Sequence, residues 1–240
     1  MVEFYGMHYR AAIRIQSSIL HKLEKKLLVW IAERLPERVK SDHLTGIGLA
    51  GAIISATGYV LSNWGIEFLW LSSFGLLVNW FGDSLDGTLA RVRNTQRPIY
   101  GFFVDHCTDG ITITVMCIAA GLSPIISFYA AMLVLAGYLL LSIFTYINTY
   151  LRGEFKITFG KFGPTEFRII VIVINTLFIY VPVKNQAFAI MGQTFKTFDI
   201  IGIGIALILF IIYLIGFSID RKKYDRMDPL PTRPDKSKDT

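Results

Sequence analysis

The sequence predicts an all-α, polytopic membrane protein with six transmembrane helices preceded by an amphipathic interfacial helix. Two observations carry this prediction. The 240 residues are 53% hydrophobic with a mean hydropathy of +0.50, which is too apolar for an ordinary soluble domain. Several apolar segments also exceed the roughly 18 residues that a helix needs to cross hydrocarbon.

The first predicted element is a helix within the stretch SSILHKLEKKLLVWIAERL. Apolar side chains recur on one side of this helix and Lys or Arg on the other, the apolar ones being Ile19, Leu23, Leu27, Trp30 and Ile31. Such a pattern is typical of a helix that lies in the membrane interface. A solvated helix packed on a partner is the alternative.

Six spans follow, at about residues 47–62, 66–90, 100–122, 125–150, 166–183 and 198–219. The chain therefore divides into a cytoplasmic N-terminal segment (1–45), a six-helix membrane domain (46–220) and a tail (221–240). The tail is charged and contains prolines, which predicts disorder.

The basic residues predict the orientation. Only Lys184 and Lys196, of 24 Lys and Arg, fall in connections on one side of the six spans. By the positive-inside bias, both termini face the cytoplasm. The positive charge behind the net charge of +6 then lies at the cytoplasmic face of the membrane. Such a face suits contact with anionic lipid head groups and requires no nucleic-acid partner.

Four aspartates interrupt the apolar pattern in FGDSLDGTLARVRNTQRPIYGFFVDHCTDG. Asp83 and Asp86 end the second span, and Asp105 and Asp109 begin the third. Each costs about 2.5–3.5 kcal/mol in the membrane if it lacks a partner. Their spacing puts each pair on one helix face, and the short connecting loop predicts that the two helices pack as antiparallel neighbours. All four carboxylates then lie about 7–16 Å in from that loop.

A bound divalent cation is the partner that best compensates these carboxylates, since oxygen-only ligands select hard ions such as Mg²⁺, Mn²⁺ or Ca²⁺. Gly87, Ala90 and Gly101 leave room beside them for a flat group, and Arg91 offers a planar cation to phosphate. These residues predict a pocket for a metal-bound pyrophosphate that opens near the cytoplasmic leaflet. Hydrogen bonding between helices is the alternative for a single aspartate, but it explains four phased ones poorly.

The same residues resemble the CDP-alcohol phosphotransferase family, whose signature is D-x2-D-G-x2-A-R, eight or nine residues, and G-x3-D-x3-D. This sequence matches every fixed position: Asp83, Asp86, Gly87, Ala90, Arg91, Gly101, Asp105 and Asp109. The resemblance implies transfer of a substituted phosphoryl group from a CDP-linked donor to an acceptor hydroxyl, with release of CMP, in phospholipid synthesis.

The resemblance also implies roles for the matching residues. The four aspartates would hold two divalent ions, Mg²⁺ or Mn²⁺, and Asp86, Gly87, Ala90, Arg91 and Gly101 would bind CDP. Asp109 would be the catalytic base. His106 is a second candidate, because FVDHCTDG resembles the FDHGCDS segment of eukaryotic choline and ethanolamine phosphotransferases. A hydrogen-bonded core histidine is its ordinary alternative.

Glu166 and Arg168, in FGKFGPTEFR, are candidate acceptor-binding residues. A helix cap and a positive-inside anchor are equally good interpretations. Asn148 and Tyr146 are weaker pocket candidates.

The residues do not decide which CDP-linked donor and which acceptor alcohol the protein uses. CDP-diacylglycerol could react with a small polar alcohol, or a CDP-aminoalcohol with diacylglycerol. His106 and the Thr-Glu pair favour the second mode, and the short chain favours the first.

A divalent-cation transporter that uses the four aspartates is the alternative function, although no polar path continues across the membrane. A degenerate family member that only binds lipid is a third. The family resemblance implies a homodimer, for which small residues in the first and last spans would permit close contacts.

Overall fold

A computed structural model describes residues 20–152, 163–180 and 193–230, together with short strands at 2–4, 7–9, 13–15, 154–156 and 187–190. Its helices are α1 (His21–Ala32), α2 (Ser41–Leu61), α3 (Leu69–Val92), α4 (Pro98–Gly121), α5 (Phe128–Arg152), α6 (Pro164–Tyr180) and α7 (Thr197–Met227). A 3₁₀ turn, Ile66–Phe68, leads into α3. The predicted all-α polytopic fold class is confirmed.

Four helices, α2, α4, α5 and α7, are long and apolar enough to cross a membrane. The other two predicted spans coincide with α3 and α6. Two aspartates and an arginine lower the hydropathy of α3, and α6 has 17 residues within the described part of the chain. The count of six spans therefore stays a prediction.

Among the residues that the structure describes, six short strands accompany the helices. Two antiparallel pairs join β1 (Val2–Phe4) to β2 (Met7–Tyr9) and β5 (Ala187–Ile190) to β6 (Gln193–Lys196). A parallel pair joins β3 (Ile13–Ile15) to β4 (Glu154–Lys156), which follows α5. The β3–β4 pair brings together two segments that the charge pattern predicts on the same side of the membrane. The periodicity of the sequence did not reveal these strands, because each has only three or four residues.

Helices α2 and α3 pack at backbone contact through small residues on both sides. A Cβ atom at Gly51 would meet Asn79, and one at Gly75 would meet the backbone of Ser55 and Gly51. The small residues of α2 that were expected to permit dimer contacts are thus used inside the chain. They lend no support to the predicted homodimer, which stays a prediction.

Helix α4 packs against α2 and α5 rather than closely against α3, although both helices lie wholly within the described residues. The two aspartate-bearing helices are therefore consecutive but do not pack closely along their length. Their short connection fixes their distance at one end only, while α2 contacts both of them. A cleft between α3 and α4 follows, and the aspartates lie on its two sides.

The amphipathic helix α1 has two apolar faces. Leu28 and Ala32 are buried in a cluster with Leu44 of α2 and with Leu85 and Leu89 of α3. Other large apolar side chains of α1 are exposed, namely Leu23, Leu27 and Trp30. The helix is thus fixed to α2 and α3 and still presents an apolar surface.

Helix α7 continues through Met227, past the predicted end of the last span and into the segment assigned to the tail. The hydroxyl of Tyr224 donates a hydrogen bond to Oδ1 of Asn148 on α5 at 2.6 Å. Disorder was predicted for the whole of 221–240, and it is wrong for this first part. Residues 231–240 lie outside the described residues. Asn148, a weak pocket candidate, makes this packing contact instead.

Candidate active site

The four aspartates occupy one turn of α3 and one turn of α4 on the two sides of the cleft. Asp109, which is partly buried, interacts electrostatically with Asp83, Asp105 and Asp86 and with Arg168. The structure therefore brings the four predicted carboxylates within range of one another. It also adds one cation from α6.

Asp83 is held by that cation. Nη2 of Arg168 donates to Oδ2 of Asp83 at 2.6 Å, and Nε of Arg168 donates to Oδ1 of Asn79 at 3.0 Å. Asn79 in turn donates to the carbonyl oxygen of Gly48 on α2 at 2.9 Å. A chain of contacts from α2 through α3 to α6 thus fixes the guanidinium beside Asp83, with only 14% of the Arg168 side chain exposed.

Asp86 is held by the N-terminal turn of α2. The hydroxyl of Thr45 donates to Oδ2 of Asp86 at 2.6 Å, and the hydroxyl of Ser41 donates to the backbone carbonyl of Asp86 at 3.0 Å. The backbone amide of Gly87 donates to Oδ1. Hydrogen bonds to a carboxylate are stronger than neutral ones, so this side chain has a fixed direction.

The residues suit a hard divalent cation in chemistry and location. Carboxylate oxygens are the ligands that Mg²⁺ and Mn²⁺ prefer, and four of them share one cleft. Among the residues that the structure describes, no three His, Cys, Asp or Glu side chains form a ready coordination sphere. Two of the four aspartates have other partners: Asp83 is paired with Arg168, and Asp86 accepts a hydrogen bond from Thr45. The donor set fits the ion, and ligation requires these two side chains to exchange partners.

The predicted CDP-binding residues other than Asp86 lie on the loop side of the aspartates, after them on α3 and before them on α4. Arg91 is exposed and donates through Nη2 to the hydroxyl of Thr88 at 2.9 Å. Its Nη1 would lie 3.3 Å from a Cβ at Gly87, whereas a Cβ at Gly101 would meet nothing within 4 Å. Ala90 is partly buried one residue before Arg91. The protein leaves open space at Gly101, as a ligand pocket requires.

His106 lies on α4 between the two aspartates of that helix. Its Nδ1 is 2.6 Å from the carbonyl oxygen of Phe102, and its ring contacts those of Phe102 and Tyr146 at centroid distances of 4.0 and 4.7 Å. A carbonyl can only accept, so Nδ1 donates in this contact, and in a neutral imidazole the lone pair is then on Nε2. The imidazole is thus oriented by three contacts.

Glu166 makes the capping contacts that its position predicts. It is buried, and its Oε2 accepts from the backbone amide of Gly163 at 3.0 Å, at the start of α6. Its Oε1 accepts from the amide of Leu20 at 3.0 Å. This geometry is that of a helix cap. Of the two acceptor-binding candidates, only Arg168 reaches the aspartates.

Several site residues escaped sequence reasoning. Thr45 and Asn79 support Asp86 and Asp83 from α2 and α3, and Tyr138 of α5 interacts electrostatically with Asp109 and Arg168. Single polar residues in apolar helices are ordinary, so nothing in their spacing distinguishes them. The polar run SDHLT at the start of α2 is the one local signal that was present.

Comparison with known proteins identifies the family of the chain. A family model described as CDP-alcohol phosphatidyltransferase matches residues 42–214, which include all four aspartates. The chain is 25% identical over 187 residues to cholinephosphotransferase 1 of Danio rerio, across 72% of this chain and 47% of that protein. It therefore spans about half the length of the curated relative. The extent of the family match decides the assignment: the chain belongs to the CDP-alcohol phosphatidyltransferase family.

Proposed function

We propose that the chain transfers a substituted phosphoryl group from a CDP-linked donor to the hydroxyl of an acceptor, releasing CMP, in phospholipid synthesis. One observation carries the proposal. Every fixed position of the family motif is present, and its aspartates interact with one another across the cleft between α3 and α4. Family membership also removes the main support for the cation-transporter alternative and favours an active enzyme over a lipid-binding scaffold.

Asp83, Asp86, Asp105 and Asp109 would hold Mg²⁺ or Mn²⁺, with two ions expected from the family resemblance. The metal supplies charge neutralisation of the donor diphosphate and makes CMP a better leaving group. Arg91 offers its guanidinium to phosphate oxygens. Gly101 leaves open space for the nucleotide, whereas the lack of a side chain at Gly87 lets the Arg91 guanidinium lie close to the α3 backbone.

His106 is the base that we favour for the acceptor hydroxyl. Its Nδ1–H is committed to the Phe102 carbonyl at 2.6 Å, so Nε2 is the nitrogen that accepts a proton. The acceptor oxygen forms a bond to the donor's outer phosphorus as the bond from that phosphorus to the bridging oxygen breaks. The hydroxyl proton goes to Nε2, and the bridging oxygen leaves with CMP. Asp109, surrounded by other carboxylates, then serves as a metal ligand.

A CDP-aminoalcohol is the donor that we favour, with diacylglycerol as acceptor. The supporting observations are His106 in its segment and the likeness to a protein named cholinephosphotransferase. CDP-diacylglycerol with a small polar alcohol is the second candidate. Membrane lipid is a partner in either mode, and no nucleic acid is needed.

The test is CMP release by the purified chain in detergent with Mn²⁺ or Mg²⁺. CDP-choline is supplied with diacylglycerol, and CDP-diacylglycerol with a panel of polar alcohols. We expect metal-dependent CMP formation that Asp105→Asn lowers by at least about 100-fold, since ligand loss removes charge stabilisation of the transition state. Asp225→Asn, an exposed change on α7, is the matched control. CMP from neither donor, with Mn²⁺ uptake into liposomes that contain the protein, would overturn the proposal.

A further inference from the structure

The side chain of Glu24, on the interfacial helix α1, joins three helices through a single oxygen. Its Oε1 accepts from the indole Nε1 of Trp80 at 2.8 Å and from the hydroxyl of Ser84 at 3.3 Å, both on α3. The same oxygen accepts from the hydroxyl of Thr165 on α6 at 2.7 Å. All three contacts are partly buried, where hydrogen bonds to a carboxylate are strong.

These donors flank the candidate active site. Trp80 and Ser84 lie three residues before and one residue after Asp83 on α3. Thr165 lies three residues before Arg168 on α6, which is about one helical turn. Two polar links between α3 and α6 therefore lie about a turn apart near Asp83. One is the bridge through Glu24, and the other is Arg168, which donates to Asp83 at 2.6 Å and to Asn79 at 3.0 Å. Further along the two helices, Asn175 of α6 donates to the hydroxyl of Ser73 of α3 at 3.2 Å.

Helix α1 provides a fixed support for the bridge. Leu28 and Ala32 are buried against Leu85 and Leu89 of α3, so α1 cannot shift along α3 without exposing apolar surface. Glu166 adds a second tie, since its Oε1 accepts from the backbone amide at Leu20 just before α1. The start of α6 is thus attached to α3 by way of α1.

We propose that Glu24 is a positioning residue: it holds the start of α6 against α3 so that Arg168 reaches Asp83. This inference rests on the proposed transferase function for its kinetic consequence. Loss of Glu24 releases Thr165 from α3, and the guanidinium one turn later loses its alignment with the Asp83 carboxylate. Because Glu24 acts through Arg168, substitution of Glu24 has no further effect on activity once Arg168 has been replaced.

A double-mutant cycle tests this transmission. Its four members are wild type, Glu24→Ala, Arg168→Gln and the double variant. The measured rate is CMP release from CDP-choline and diacylglycerol in the presence of Mn²⁺. We expect Glu24→Ala to lower kcat about tenfold, as residues behind metal ligands do, with little change in the KM for CDP-choline. In the Arg168→Gln background, Glu24→Ala is expected to lower kcat by less than about twofold. Glu24→Gln, which keeps an acceptor oxygen, retains most of the activity. Glu33→Ala, an exposed charge loss just after α1, is the matched control.

The proposal would be overturned if Glu24→Ala lowered kcat equally in the wild-type and Arg168→Gln backgrounds. It would also be overturned if Glu24→Ala had the same kcat as Glu33→Ala. If Glu24→Ala does not fold, Thr165→Val removes the α6 donor alone and replaces it in the cycle. Hydrogen–deuterium exchange of residues 163–170 gives a reading that is independent of activity. We expect faster exchange in Glu24→Ala than in Glu33→Ala, and equal exchange overturns the inference. A wild-type protein that releases no CMP contradicts the proposed function and leaves this exchange test intact.

Discussion

Individual side chains outside the aspartate motif decide where its carboxylates point. Asp83 faces Arg168 because that guanidinium is held by Asn79, and Asp86 faces Thr45 at the start of α2. Each supporting residue comes from a different stretch of the chain. The motif supplies the carboxylates, and these partners supply their directions.

Thr45 gives the cleanest test of such support. We expect Thr45→Val, which keeps the side chain's shape and removes the donor to Asp86, to weaken Mn²⁺ binding about tenfold. Electron paramagnetic resonance of free Mn²⁺ measures this without any substrate. Thr57→Val is the control, because the hydroxyl of Thr57 donates only to the carbonyl of Ile53 in its own helix. Equal Mn²⁺ affinity in the two variants would show that Thr45 does not orient a metal ligand.

His106 can be separated from Asp109 by the kinetic parameter that each change affects. As the proposed base, His106 would act on the chemical step, so His106→Gln is expected to lower kcat by about 10²–10⁴-fold with a nearly unchanged Mn²⁺ requirement. Asp109→Asn, at a proposed metal ligand, is expected to raise the Mn²⁺ concentration needed for half-maximal rate. Cys107→Ser, at the exposed neighbour of His106, serves as the control. A His106→Gln variant that keeps full kcat would return the role of base to Asp109.

At the level of elements, α2 and α3 form the most extensive helix–helix contact among the described residues. Backbone contact at Gly51, Gly75 and Gly82 leaves no room for a side chain, and it places Thr45 of one helix beside Asp86 of the other. By contrast, α4 packs on α2 and α5. The width of the cleft between α3 and α4 is therefore set by how α3 and α4 each pack on α2.

This packing predicts opposite effects for two glycine changes. Gly75→Ala would drive a methyl group into the backbone of Ser55, so we expect it to destabilise the protein by about 1–3 kcal/mol. Gly204→Ala in α7 meets nothing within 4 Å and is expected to be neutral or to stabilise by up to about 1 kcal/mol. Unfolding in detergent with increasing SDS measures both. Equal stability of the two variants would contradict the close α2–α3 contact.

The whole molecule is predicted to lie with both termini and the site at the cytoplasmic side. A membrane-impermeant maleimide tests this in a background that carries Cys107→Ser and Cys117→Ser. In sealed right-side-out vesicles we expect labelling of Glu67→Cys, between α2 and α3. Lys25→Cys and Arg226→Cys should react only after the vesicles are opened. All three positions are exposed. The reverse pattern would refute the predicted orientation.

The sequence by itself determined the fold class, the approximate helices and the identity of the four aspartates. Long apolar segments can only be helices in a bilayer, and uncompensated carboxylates there are too costly to be incidental. These are local properties, which is why they can be read from composition and spacing. The length of α7 was missed because charged residues continue a helix as readily as they form a tail.

Only the tertiary structure decided which side chains meet. The pairing of Arg168 with Asp83 and the bridge at Glu24 join residues far apart in the chain. The separation of α3 from α4 depends on how α4 packs against α2 and α5. An apolar helix can turn any of its faces towards a neighbour, so its sequence does not specify the partner. Packing of the small-residue faces of α2 and α3 selects one arrangement, and that arrangement positions the site.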